Sequence, residues 1–202
     1  PPWLYSVGNY ARYEIKYGGA VSIGTYYWKI IKVGRLENGT EYVVFRETGA
    51  VLEYSGSREV KYVIETRKTL EPVEGYNFCA FEWVNVPLSV GDIVTIGVAK
   101  FKVTKIVRRL DVTGRPAYEL VPVEIPKDVP QDLASITGRV YYDRDKGVLV
   151  KAVVNHPAYG SGVLRITSSS VIMVPKGLEP AAVLFPTLLA AAVAFVRRVR
   201  SR

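Results

Sequence analysis

The sequence predicts an all-β protein, an antiparallel sandwich or incomplete barrel, followed by one C-terminal transmembrane helix. Short alternating runs punctuated by glycine and asparagine turns recur through residues 11–174, and no ten-residue helical pattern interrupts them. Residues 181–196 then form a sixteen-residue stretch without a charge, closed by an arginine cluster. The chain has 202 residues, 49% of them hydrophobic and 23% charged, enough to build a core without disulfide or metal staples.

Residues 11–17 alternate strictly, with Tyr13, Ile15 and Tyr17 on one face and Arg12, Glu14 and Lys16 on the other. Gly18-Gly19 marks a hairpin, and residues 21–33 follow, rich in β-branched and aromatic side chains. In Tyr26-Tyr27-Trp28 two rings share a face, so one ring is expected on the exposed side. Asn38-Gly39 marks a second hairpin, expected as a type I′ turn, and residues 41–47 return. Within 57–70 a strand at 60–66 is preferred to a helix, because Val60, Tyr62 and Ile64 alternate. Further strands are expected at 92–96, 101–110, 117–125, 138–143, 148–154, 162–167 and 170–174. Turns between them fall at Gly97, Thr113-Gly114, Asp145-Lys146-Gly147 and Gly160-Ser161-Gly162. Residues 126–136, with two prolines and no alternation, are a connection within the sheet. Trp3 and Tyr5 lie in a flexible start that packs on the sheet or on a neighbouring subunit.

Two domains follow: residues 1–175, the β domain, and residues 176–202, the anchor. As a helix, residues 181–196 span about 24 Å against a hydrocarbon core of roughly 30 Å, a gap that snorkelling arginines narrow. A buried core helix is the alternative, but the stretch is apolar on every side. Arg197, Arg198, Arg200 and Arg202 belong on the cytoplasmic side, which puts residues 1–175 outside the cell.

The formal charge of +8 divides evenly. Residues 176–202 carry five cations and one acid, leaving 22 against 18 in residues 1–175, so each part holds +4. A nucleic-acid partner is not expected from so scattered an excess outside the cell. The densest run supplies a candidate polyanion stripe, Lys100, Lys102, Lys105 and Arg108, suited to an anionic glycan or a lipid head group. It equally describes the solvent face of an exposed strand.

One cysteine and one histidine exclude a disulfide framework and the usual zinc and iron–sulfur sites. His156 reads as a loop histidine after a strand, and Cys79 as a small buried hydrophobe with a raised pKa. Asp143-Arg144-Asp145-Lys146-Gly147 begins like a calcium loop, but no later ligand follows, and a hairpin turn with Gly147 at positive φ accounts for it. Glu37, Glu41, Glu47 and Glu53 read as solvated strand faces, not as a glycosidase pair. Asn38-Gly39-Thr40 is a glycosylation sequon as well as a turn. No catalytic residue, metal or cofactor is expected. Few Gln, Met, Cys and His beside many Lys, Arg and Glu fit a hot habitat.

Two segments carry a resemblance: residues 7–14 (Val-Gly-Asn-Tyr-Ala-Arg-Tyr-Glu) and residues 140–151 (Val-Tyr-Tyr-Asp-Arg-Asp-Lys-Gly-Val-Leu-Val-Lys). They resemble secreted archaeal β-rich surface proteins, which open with Gly-Asp-Tyr-Val-Glu-Tyr-Glu and carry a Tyr-Asp-x-x-Thr-Gly-x-Leu-x-Lys hairpin. Asn9 replaces the Asp and Lys146 the Thr. The second segment is also similar to a hairpin of bacterial periplasmic lipoprotein carriers, whose half-barrel holds an acyl chain. Leu178-Glu179-Pro180 and the apolar tail resemble prokaryotic surface-sorting tails. These resemblances imply a secreted β fold with a C-terminal anchor.

The function expected is a non-enzymatic, single-pass cell-surface protein, structural or interaction component of the envelope or of a surface assembly. Its partners are membrane lipid through the C-terminal helix, and other envelope proteins or copies of itself. The alternatives are a carrier of a lipophilic ligand in a half-barrel cavity and a surface hydrolase.

Overall fold

Period-two alternation governs the chain from its first strand. In β1 (Tyr10–Tyr17) Ala11, Tyr13 and Ile15 are buried while Arg12 faces solvent. The computed structural model describes residues 1–17, 21–51, 54–73, 75–127, 138–156 and 160–176. After β1 come β2 (Val21–Arg35), β3 (Glu41–Val51), β4 (Tyr54–Val63), β5 (Ile93–Ile96), β6 (Ala99–Val107), β7 (Ala117–Glu124), β8 (Val140–Asp143), β9 (Leu149–His156) and β10 (Gly160–Ser169). They form one antiparallel sheet in the order β4-β3-β2-β1-β10-β9-β8-β7-β6-β5. Among the described residues there is one sheet, and it is not closed, so the two packed sheets of the expected sandwich are not present there.

The strand order has a mechanical consequence. The two edges, β4 and β5, are consecutive in sequence, so the chain between them must travel from one edge to the other. It does so across the inner face. Tyr62 of β4 bridges Thr69, Lys68 bridges Cys79, and Cys79 bridges Gly97 of the β5–β6 turn. Farther along, Trp83 bridges Val148 at the start of β9 while its ring lies 5.4 Å from that of Tyr62. In a flat sheet β4 and β9 would stand about 24 Å apart, five spacings of roughly 4.8 Å. One tryptophan reaches both only because the sheet curls into a trough, and residues 78–86 form a strap along its floor.

Backbone hydrogen bonds pin the strap at each step. Cys79 exchanges both bonds with Gly97, Ala80 N–H donates to Arg67 O, and Val84 N–H donates to Gly147 O. Leu149 N–H donates to Glu82 O, and the Tyr142 hydroxyl donates to Phe81 O. Such pairing is what buried irregular backbone requires. The Asp143–Gly147 turn is the docking point: Gly147 has φ +69°, and a Cβ there would lie 2.2 Å from Val84 O. Asp143 Oδ1 accepts from Asp145 and Lys146 N–H, so the turn reading of this motif holds. The same turn receives the N-terminus, since Trp3 Nε1 donates to Lys146 O at 2.7 Å.

Several expectations are corrected. Residues Pro2–Tyr5 form a short 3-10 turn rather than a flexible start; its Trp3 stacks on Trp28 and meets Trp83 edge-on. The β2–β3 connection is not type I′. Gly39 N–H donates to Leu36 O, and Gly39 alone of the pair has positive φ (+85°), which is a type I turn closed by a left-handed glycine. Residues 170–174 form no strand: Val171 N–H turns back to donate to Ser169 Oγ, and the Ser170 hydroxyl is held at the start of β1, accepting from Tyr10 N–H and donating to Asn9 Oδ1. Gly160-Ser161-Gly162 belongs to β10, and His156 is the last residue of β9. Gly18-Gly19 and all but the first residues of the 126–136 connection lie outside the described residues, as does the tail from residue 177. Among the described residues no helix is long and apolar enough to cross a membrane.

Candidate functional site

The least ordinary chemistry in the molecule lies under the strap. Glu82, between Phe81 and Trp83, is fully buried, and its Oε1 accepts the Tyr26 hydroxyl at 2.7 Å. Glu47 of β3 is buried beside it. The Tyr62 hydroxyl donates to Glu47 Oε1 at 3.1 Å, and Arg58 Nε donates to Oε2 at 2.9 Å. Strand periodicity explains the convergence: Glu47 shares the inner face of β3 with Val43 and Phe45, and Arg58 that of β4 with Val60 and Tyr62.

Glu82 Oε2 meets no donor, and the Glu47 carboxyl lies within hydrogen-bonding reach. Two buried carboxyls side by side disfavour a second negative charge, which favours the protonated form of Glu82. Burial pushes the Glu82 pKa well above the usual carboxylate range, and the neighbouring Glu47 raises it further. Burial first, then these carboxylates, also raises Tyr26 and Tyr62 well above the phenol range. Burial opposes the charge on Arg58, but Glu47 outweighs it and the guanidinium pKa rises. Arg58 is the member of the cluster that reaches solvent, with its side chain 26% exposed.

A second buried cation supports the strap from the other side. Arg67 sits at φ +62°, where a non-glycine residue is strained, and donates through Nη2 to Ala80 O and Thr95 O. Burial lowers its pKa. Cys79, adjacent, is a free buried thiol whose pKa burial raises. The arrangement holds the strap in place.

The residues singled out from sequence do not converge here. Lys100, Lys102 and Lys105 project from the outer face of β6, and Arg108 is exposed just past its end. Lys100 pairs with Glu124 at 2.8 Å and Lys105 with Glu119 at 3.5 Å. Asn38 is exposed in the β2–β3 turn, where its Oδ1 accepts the Thr40 N–H. Arg197, Arg198, Arg200 and Arg202 lie outside the described residues, as does Glu53. Glu37 is exposed, and Glu41 binds Arg35 and Tyr5 at the rim of a surface depression of about 400 Å³. Glu47 contradicts its reading as a solvated carboxylate. Tyr26 and Trp28 enter the core while Tyr27 stays on the outer face beneath Arg12. Among the described residues no cluster of His, Cys, Asp and Glu is arranged to hold a metal.

No protein-family model and no curated protein matches the chain. Among solved structures it is similar to MucB in complex with MucA(peri), at 13% identity and a TM-score of 0.34, over 83% of this chain and 51% of that one. The Pseudomonas aeruginosa MucA/MucB complex gives 12% identity and a TM-score of 0.34, over 85% and 55%. A DUF1329 family protein from Desulfovibrio piger gives 13% identity and a TM-score of 0.23, over 88% and 90%. The chain spans about half the length of the MucB chains it matches.

Proposed function

We propose that this protein is a non-enzymatic component of the cell envelope, tethered by residues 181–196 with Arg197, Arg198, Arg200 and Arg202 inside the cell, that works by binding other envelope proteins or copies of itself. The observation that supports this reading is the occupied trough. Trp3, Trp28, Phe45, Tyr62 and Trp83 pack ring against ring across the space a carrier would keep for an acyl chain. The carboxyls and phenols under the strap are buried, and only Arg58 reaches solvent, which argues equally against a hydrolase. Binding is left to the outer face and the rims.

The experiment is native mass spectrometry of the full chain extracted from membranes in mild detergent, with chemical cross-linking beforehand. The reading expects discrete cross-links to a protein partner or to a second copy, and no lipid retained at one per chain. A stoichiometric lipid, or turnover of an ester or glycoside by the extracted protein, would overturn it.

A further inference from the structure

We propose that the outer face of β5, β6 and β7 is a docking surface for an anionic lipid bilayer. The register builds it. Ile93 of β5 lies opposite Lys102 of β6, which lies opposite Val121 of β7; in the next row Lys100 lies opposite Glu124. Alternate residues of the same strands, Val94, Phe101, Val103 and Leu120, fill the core, so this row points away from the trough. A bulge at Val103/Lys105 brings Lys105 opposite Glu119 and onto the same face.

What distinguishes this face from an ordinary lysine-rich edge is the aliphatic side chains between the cations. Ile93 is 53% exposed, Val123 52% and Val90, in the turn before β5, 61%. An isolated exposed valine means nothing. Here Ile93 lies opposite Lys102, Val123 precedes the Glu124 that lies opposite Lys100, and Val90 stands in the turn beside Val103, so exposed aliphatic side chains accompany the cations along the hairpin. Such a surface suits the boundary between head groups and acyl chains, where apolar groups enter and lysines meet phosphate. A soluble polyanion would use the cations and leave the aliphatics in water.

The charge balance fits an anionic partner. Lys102 and Arg108 have no carboxylate partner among the described residues. The Lys100–Glu124 pair is half-exposed on both sides and weak, so Lys100 is free to turn toward a phosphate. Glu119 is buried and held by Thr104 and Tyr141, leaving Lys105 as the outward charge of its pair. A few cations near an anionic leaflet give reversible contact that salt screens. The inference rests on the tethered reading only for keeping this face close to a bilayer.

The test uses the full chain with Cys79→Ala and Ile93→Cys, labelled at position 93 with an environment-sensitive NBD fluorophore. It is reconstituted with vesicles of phosphatidylcholine alone and of phosphatidylcholine mixed with phosphatidylglycerol. The expected result is a blue shift with the mixed vesicles only, lost in molar salt and lost on Lys102→Glu. The same label at Glu37→Cys should stay aqueous throughout. An aqueous spectrum at position 93 with mixed vesicles, or an equal shift with both, overturns the proposal. So does the same shift with heparin and no vesicles, which would make the face a general polyanion binder. Flotation separates the tether from the face. A chain that floats with neutral vesicles while the probe stays aqueous keeps its tether and loses this proposal. A chain that floats only with anionic vesicles and shifts the probe keeps this proposal and loses the tether.

Discussion

Tyr26 gives its hydroxyl hydrogen to Glu82 Oε1 over 2.7 Å, with both side chains fully inside the protein. The bond fastens the strap to β2, and its acceptor is an acid whose pKa burial and the neighbouring Glu47 push well above the usual carboxylate range. Facing Glu82 are Tyr13 of β1, Tyr26, Glu47 of β3, Tyr62 of β4 and Tyr142 of β8, with Arg58 beyond Glu47 and the Arg67 guanidinium on the other side of the strap.

Stability should therefore fall as pH rises. The folded pKa of Glu82 lies above the unfolded value of about 4.3, so the native state binds more protons than the unfolded one between those two values. The contribution is complete below the unfolded pKa and is lost as pH climbs to the folded pKa, with a limiting slope of about 1.4 kcal/mol per pH unit. Glu82→Gln keeps an acceptor for Tyr26 and supplies a donor to Glu47, so it should flatten the profile and raise the melting temperature at alkaline pH. Thermal melts across pH 5–9 check this; a flat wild-type profile would remove the buried proton from the account.

Tyr26→Phe removes the hydroxyl and leaves Glu82 Oε1 without its donor. The expected cost is about 1–3 kcal/mol, from the desolvated acceptor rather than from lost packing. Chemical denaturation measures it, and combining Tyr26→Phe with Glu82→Gln should show non-additive losses.

Two glycines separate backbone conformation from close approach. Gly39→Ala meets open space at φ +85° and should cost about 1–2 kcal/mol. Gly147→Ala has similar φ, but its Cβ would strike Val84 O, so Val84 must shift away and the Val84 N–H bond to Gly147 O is strained as well. Its cost should exceed that of Gly39→Ala by at least about 1 kcal/mol. Equal melting temperatures for the two variants would mean that the strap is not seated on this turn.

The strand framework was legible because inner and outer residues alternate and glycines mark the reversals. Even Glu47 was within reach: counting by twos from Val43 and Phe45 places it inside, and only the habit of assigning carboxylates to solvent put it elsewhere. The strap was not legible. Residues 78–84 are apolar and aromatic, but their backbone partners are Arg67, Gly97, Gly147 and Leu149, contacts that no local period encodes. The trough depends on strand order, and strand order is set by those same distant pairings. Trp3 was hidden for a related reason, since its packing partners are Trp28 and Trp83.

The tether has its own test. Leu189→Arg with Val193→Arg should release the protein from membranes without changing the melting of residues 1–175, since each central arginine costs roughly 2.5–3.5 kcal/mol on insertion. Membrane fractionation followed by a thermal melt reads both. A collapsed melting transition would assign the tail to the core.

Hydrogen exchange at the amides of Cys79, Ala80, Val84 and Leu149 tests the central claim most directly, because Cys79, Val84 and Leu149 are bonded between strap and trough and Ala80 ties the strap to Arg67 in the connection that leads into it. The strap-filled trough predicts protection at these four positions equal to that of the β2 and β3 amides, lost together on global unfolding. Exchange at Cys79, Ala80 and Val84 as fast as in the Asn38–Gly39 turn would contradict it, and would leave the trough open for a ligand.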